Sequence, residues 1–177
     1  MKLVSVAEMK AIEQQADARG LSYERMMENA GIGLADVIHD LAEGEGWEEV
    51  LGLVGPGNNG GDTLTALSHL VVGGWRARAY CVKRKTQKDK LVEMFIQAGG
   101  EIVLAESDKD FDSLAAFLEN ADLLLDGLLG TGAKLPLKPG IARVLAETNT
   151  LLSKLDQPPF IIAVDCPSGV DCDTGEA

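Results

Sequence analysis

The chain has 177 residues, which meets the roughly 100–200 residues of one domain once and leaves no comfortable room for a second core. Apolar residues make up 46% and charged residues 25%, an ordinary globular balance that argues against disorder and coiled coil. With 16 Lys and Arg against 28 Asp and Glu the formal charge is −12, so on average the surface repels nucleic acid and anionic lipid.

At the start, Met1-Lys2-Leu3-Val4-Ser5 reaches acidic Glu8 before an apolar leader core can form, so no secretory signal is expected. Uncharged runs such as Val50 to Gly61 are cut by Gly, Pro or Asn and fall short of the ~20 apolar residues of a spanning helix. Cys81, Cys166 and Cys172 show no C-x-x-C or Cys/His ligand spacing, and reduced thiols in a cytoplasmic protein are the expectation.

Two helices are predicted first. Ser5-x-x-Glu8 reads as a capping box, followed by Val6, Met9, Ile12 and Ala16 at helical spacing up to Gly20. Ser22 caps a second helix whose apolar face carries Met26 or Met27, Ala30, Leu34, Val37/Ile38 and Leu41, until the Gly44-Glu45-Gly46 break. Met26 and Met27 are expected to fill core.

Apolar runs then alternate with helical segments. Strands are predicted near 50–54, 77–82, 101–105, 122–126 and 160–165, with helices near 62–73, 88–98, 110–120 and 140–155. Strands joined by helices of this length run parallel with right-handed crossovers. The expected fold is therefore α/β: a three-layer α/β/α sandwich, a Rossmann-like, doubly wound, mainly parallel sheet preceded by two helices.

In such a sheet ligands sit beyond the carboxyl ends of the strands, near the point where strand order reverses. Strand one ends in Gly55-Pro56-Gly57-Asn58-Asn59-Gly60-Gly61-Asp62, a glycine-rich stretch opening a helix, which suits a phosphate. It is neither a P-loop nor a G-x-G-x-x-G fingerprint, and a plain turn with Asp62 as helix cap stays open beside the cradle. Strand four delivers Asp126 ahead of Gly127-Leu128-Leu129-Gly130-Thr131-Gly132, a carboxylate placed to act as a base or cation ligand. Strand five ends in Asp165-Cys166-Pro167-Ser168-Gly169, then Asp171, Asp173, Thr174 and Gly175. In the strand order 3-2-1-4-5 these three tips are neighbours, so their loops would line one crevice.

Other residues receive structural readings. Ser168 lacks the G-x-S-x-G elbow, and His39 and His69 sit on predicted helices away from the strand tips. Trp47 and Trp75 are expected to pack beside strands, and the run Lys83-Arg84-Lys85 with Lys88 to be a solvated loop. Cys166 lies in the candidate site without a histidine beside it, against a covalent thiol mechanism.

Three stretches together resemble the YjeF N-terminal domain family, the NAD(P)H-hydrate epimerases. They are Gly55 to Asp62, Asp126 with Gly130-Thr131-Gly132, and Val164-Asp165-x-Pro167-Ser168-Gly169-x-Asp171-x-Asp173-Thr174-Gly175; Met27-Glu28-Asn29-Ala30-Gly31 resembles the family too. The resemblance implies interconversion of the R and S epimers of hydrated NADH and NADPH, with an NAD(P)H-hydrate dehydratase as functional partner. It implies potassium held by Asn59, Asp126 and Ser168, a ligand set of oxygens that suits a hard cation. Substrate-binding residues implied are Asn58, Asn59, Gly60, Gly61 and Asp62, then Gly130, Thr131, Gly132, Ala133, Lys134, Leu135 and Pro136, and Asp165.

Asp126 is the leading acid–base candidate and Asp165 the alternative, since coordination to potassium lowers the basicity of Asp126. The family suggests a homodimer. Thr63 stands where the family usually has glycine, and Ala133 where a larger apolar residue is common. The family's domain continues past the Asp-Thr-Gly motif, so residues 1–177 are expected to be one domain incomplete at its C-terminal end, with an exposed strand edge. A non-catalytic nucleotide-binding or scaffold module of the same fold is the alternative function.

Overall fold

The computed structural model describes residues 4–177; the first three residues of the leader reading lie outside them. Its elements in chain order are α1 (Val6–Ala18), α2 (Tyr23–Ala42), β1 (Glu49–Val54), α3 (Asn58–Val72), β2 (Arg76–Cys81), α4 (Lys90–Ala98), β3 (Glu101–Leu104), α5 (Asp112–Asn120), β4 (Leu123–Gly127), α6 (Pro139–Leu152) and β5 (Phe160–Ala163). The strands form one parallel sheet in the order β3-β2-β1-β4-β5. The switch point therefore falls between β1 and β4, as in the strand order from which the crevice was expected.

Both faces are covered. On one, Val50, Val54, Ala79, Cys81 and Leu125 pack under Ile38, Leu64, Leu67 and Phe95 of α2, α3 and α4. On the other, Leu51, Leu53, Tyr80 and Leu124 meet Leu114 and Leu118 of α5 and Ile141 and Val144 of α6. A strand buried on both faces must be apolar throughout, which is why Leu51 to Val54 of β1 reads as a continuous run. Among the described residues β5 pairs only with β4, at the sheet's edge, and Phe160 and Ile161 are about half exposed.

Three expectations need correcting. Helix α3 begins at Asn58, so the glycine loop is only Gly55-Pro56-Gly57, and Asp62 sits in the second turn rather than at the cap, which is Gly57. The buried face of α2 is Gly31, Ala35 and Ile38, while Val37 and Leu41 face outward. Gly31 is the reason: a Cβ there would lie 2.5 Å from Thr65 Cβ, so α2 lies against α3 along that glycine and the helix is rotated accordingly. The stripe of α1 buries none of its residues, although the Ser5–Glu8 capping box forms as read.

Trp75 is buried with His39 edge-on to it, and Trp47 lies against Phe160, so both tryptophans pack as expected. Among the described residues no helix is long and apolar enough to cross a membrane.

Candidate functional site

The carboxyl ends of β1, β4 and β5 open into a cleft of about 760 Å³, within the size range of small-ligand sites. Gly57, Asn58, Asn59 and Asp62 line it from the first tip, Leu129 to Ala133 from the second, and Ala163 to Asp165 from the third. Helix α1 supplies a fourth wall through Val6, Met9, Lys10 and Glu13. Val6 and Met9, the first half of the apolar stripe of α1, thus border the cleft instead of filling core, while Ile12 is exposed.

The glycines of the first tip act through close approach, since none has a positive φ. A Cβ on Gly55 would fall 1.8 Å from the Leu128 carbonyl oxygen, and one on Gly60 would fall 2.1 Å from the Gly55 oxygen. The β1 and β4 tips are thus pressed together, with Gly55 N–H donating to Gly127 O. Thr63, the departure from the usual glycine, is fully buried and donates its hydroxyl to Asn59 O at 2.8 Å.

Arg84 overturns the solvated-loop expectation for the basic run. Its side chain is only 9% exposed; it pairs with Asp89 at 2.9 Å and donates to the carbonyls of Gly55 and Gly57 at 3.0 and 3.2 Å. The loop after β2 abuts β1 at the carboxyl edge, and that adjacency is the signal by which it could have been found. Lys83, which pairs with Glu106, and Lys85 remain exposed.

Asn59, Asp126 and Ser168 meet around Leu129. The Asn59 amide donates to Leu129 O at 2.8 Å, Leu129 N–H donates to Ser168 Oγ at 3.0 Å, and Ser168 N–H donates to Asp126 Oδ2 at 2.8 Å while its hydroxyl donates to Oδ1. Asn59 Oδ1, by contrast, is buried without a donor. A buried acceptor left unpaired costs about 1–3 kcal/mol, and a cation is one natural way to satisfy it. Among the described residues no group of three or more His, Cys, Asp or Glu side chains could hold a metal, so an ion here would draw on a mixed set of oxygens with a single carboxylate among them.

Asp126 is half-buried behind the lining residues, with its oxygens engaged by Ser168 and by Leu128 N–H. Asp165 faces the cleft with a φ of +67°, a left-handed conformation that Asp tolerates, and accepts from Thr131 N–H at 3.1 Å. Burial, with added repulsion from Asp165 and Glu13, pushes the Asp62 carboxyl up from 3.8 to about 6. Burial also pushes the Cys166 thiol up to about 12, helped by its contact with Cys172, so in the dithiol it rests protonated at neutral pH.

Several expected binding residues fall elsewhere. Gly60 and Gly61 are buried, Gly61 beneath Met27, and Lys134, Leu135 and Pro136 are exposed beyond the lining. The Asp171-x-Asp173-Thr174 stretch holds α1: Asp171 accepts from the N–H groups of Asp173 and Thr174 and from the Thr174 hydroxyl, which hold its carboxyl below the usual range. Asp173 then accepts from Val6 N–H at 3.0 Å, at the start of α1.

Residues 23–177 match the family described as YjeF-related protein N-terminus. An NAD(P)H-hydrate epimerase of Rhodopirellula baltica is 37% identical over 85% of this chain and 58% of its own length. A bifunctional NAD(P)H-hydrate repair enzyme of Gloeobacter violaceus is 31% identical over 99% of this chain and 32% of its own. The chain thus spans between about a third and three-fifths of these relatives. A crystal structure of a yeast protein superposes on all of this chain and 75% of that one, with a TM-score of 0.82 at 21% identity, and so shares the fold. A match over most of the chain, on the fold and strand-tip motifs just described, places it in the YjeF-related N-terminal family.

Proposed function

We propose that this chain interconverts the R and S epimers of hydrated NADH and NADPH, supplying the S form to an NAD(P)H-hydrate dehydratase. The names of the two relatives support this reading. The observation that carries it is a pair of interacting carboxylates, Asp62 and Asp165, in a nucleotide-sized cleft. Epimerisation needs proton transfers with no net oxidation or reduction, and two carboxyls on one cleft can serve as donor and acceptor.

In this reading Asp62, raised to about 6, keeps a protonated fraction near neutrality and gives its proton to the departing hydroxyl. The adjacent ring nitrogen supplies the electron pair, leaving an iminium carbon and water. Water returns to either face as Asp165 takes its proton, and transfer between the carboxyls resets the pair. Gly57 provides no side-chain cap for α3, so the first-turn N–H groups are available to the substrate's phosphates. Lys10, the one cation among the described lining residues, adds its charge from α1.

Potassium would be held by Asn59 Oδ1, the Asp126 carboxylate and the Ser168 hydroxyl, where it would supply a fixed positive charge. The unpaired Asn59 oxygen supports that fit. Asp126 then acts as a ligand and positions Ser168, which leaves proton transfer to Asp62 and Asp165.

The test is recovery of NADH from purified R-hydrate in the presence of an S-specific dehydratase, with and without potassium. Asp165→Asn should lower kcat about 10²–10⁴-fold with an unchanged circular dichroism spectrum. Recovery at a rate independent of added protein would refute catalysis.

A further inference from the structure

We infer that Cys166 and Cys172 are a dithiol modification site, which a low-molecular-weight disulfide such as oxidised glutathione converts reversibly into an intramolecular disulfide at the rim of the cleft. Their sulfurs lie 2.7 Å apart, closer than a thiol hydrogen bond normally brings two sulfurs, although both residues are free cysteines. An S–S bond is about 2.05 Å, so closing it takes less than an ångström of further approach.

The reduced chain makes this juxtaposition by itself. Gly169 turns at a φ of +99°, Val170 N–H donates to Pro167 O, and the Asp171 carboxylate, accepting from Asp173 and Thr174 N–H, folds the chain around Cys172. Loop closure, which normally opposes cross-linking, is already complete. The third cysteine provides an internal contrast, since Cys81 is wholly buried in the core with no sulfur beside it.

Access decides the order of events. Cys172 is exposed and lines the cleft, whereas Cys166 is partly covered. Cys172, giving up its proton, attacks one sulfur of the small disulfide; that S–S bond breaks and one small thiol leaves carrying the proton. In the mixed disulfide Cys172 no longer presses a thiol against Cys166, which removes two of the causes that raise it; Cys166 attacks Cys172 Sγ, the mixed disulfide breaks, and the second small thiol leaves carrying the Cys166 proton. Two protein thiols are oxidised and one small disulfide is reduced to two thiols. The ring so closed contains Ser168 and begins next to Asp165, so oxidation fixes the segment that carries one proposed ion ligand.

The full chain is equilibrated in glutathione buffers of increasing oxidised fraction, quenched by alkylation, and analysed by intact mass and peptide mapping. The expected product has lost two hydrogens, carries no glutathione, links Cys166 to Cys172 and is reversed by dithiothreitol, while Cys81 reacts only after unfolding. Cys166→Ser should accumulate glutathione on Cys172, and Cys172→Ser should stay unmodified. Amide exchange across residues 168–171 should slow in the oxidised form. Wild-type chain that retains glutathione on Cys172, chains linked to each other, or exchange unchanged by oxidation would each overturn the inference. These readouts require no substrate, so they stand or fall separately from the proposed epimerase activity.

Discussion

Replacing Asp62 by Asn tests the electrostatics of the cleft directly. The Asp62 carboxyl is raised from 3.8 to about 6, first by burial and then by Asp165 and Glu13. A folded value above the unfolded one means that the native state binds the proton more tightly. Stability is therefore unaffected by this group well below 3.8, falls as the pH rises towards 6, and stays reduced above it. The full rise corresponds to about 3 kcal/mol, and because the group is only partly buried solvent screening reduces the expected effect to about 1–2 kcal/mol. Asn keeps the shape and removes the titration. Urea unfolding of both proteins from pH 4 to pH 8 should show Asp62→Asn gaining stability over wild type with rising pH, reaching about 1–2 kcal/mol above pH 6. In the proposed mechanism the same variant loses turnover, so stability and activity move in opposite directions. A difference that does not change between pH 4 and pH 8, or a variant less stable than wild type at pH 8, would show that the carboxylate is well solvated and that the reasoning fails.

Arg84→Met should cost about 2–4 kcal/mol in the same urea assay, because it strips the Gly55 carbonyl of its donor, leaves Gly57 O with only the Gly61 N–H, and leaves Asp89 without its ion-pair partner; Lys85→Met, on the exposed neighbour, should be nearly silent. Gly60→Ala places a Cβ 2.1 Å from a backbone oxygen that cannot yield and should cost about 1–3 kcal/mol, whereas at Gly61 the nearest atoms are the mobile end of Met27 at 2.7 and 2.8 Å, so Gly61→Ala should be tolerated.

Period and order were legible because they follow from burial. Continuous apolar runs in β1 and β4 mark strands covered on both faces, and alternation with helices dictated a parallel sheet. The strand-tip glycines and carboxylates were legible for the same reason: once the order is known, tips of neighbouring strands must abut. What stayed hidden depends on contacts that no period encodes. The rotation of α2 is set by one glycine meeting Thr65, and the burial of Arg84 by two carbonyls it must satisfy; in the sequence it is one cation among four. Helix α1 shows an apolar stripe whatever lies beneath it, so neither its place beside the cleft nor the anchoring of Val6 by Asp173, 167 residues away, could be read ahead of the structure.

The contacts among the strand tips share a pattern that bears on how the site works. Each ties one strand tip to another: Arg84 after β2 to the β1 loop, Asn59 in α3 to Leu129 after β4, Ser168 after β5 to Asp126 at the end of β4, and Thr131 to Asp165. The tips are thus braced across the sheet by backbone-to-side-chain bonds rather than held by the stiffness of their own turns. Bracing of this kind keeps Asp62 and Asp165 in place although neither lies deep in the core, because displacing one tip requires breaking bonds at the next. It also explains why the motifs are dispersed along the chain. A groove built from one loop could keep its determinants together, but a groove held between three parallel strands must draw them from three crossovers, separated in sequence by the helices that make the strands parallel in the first place.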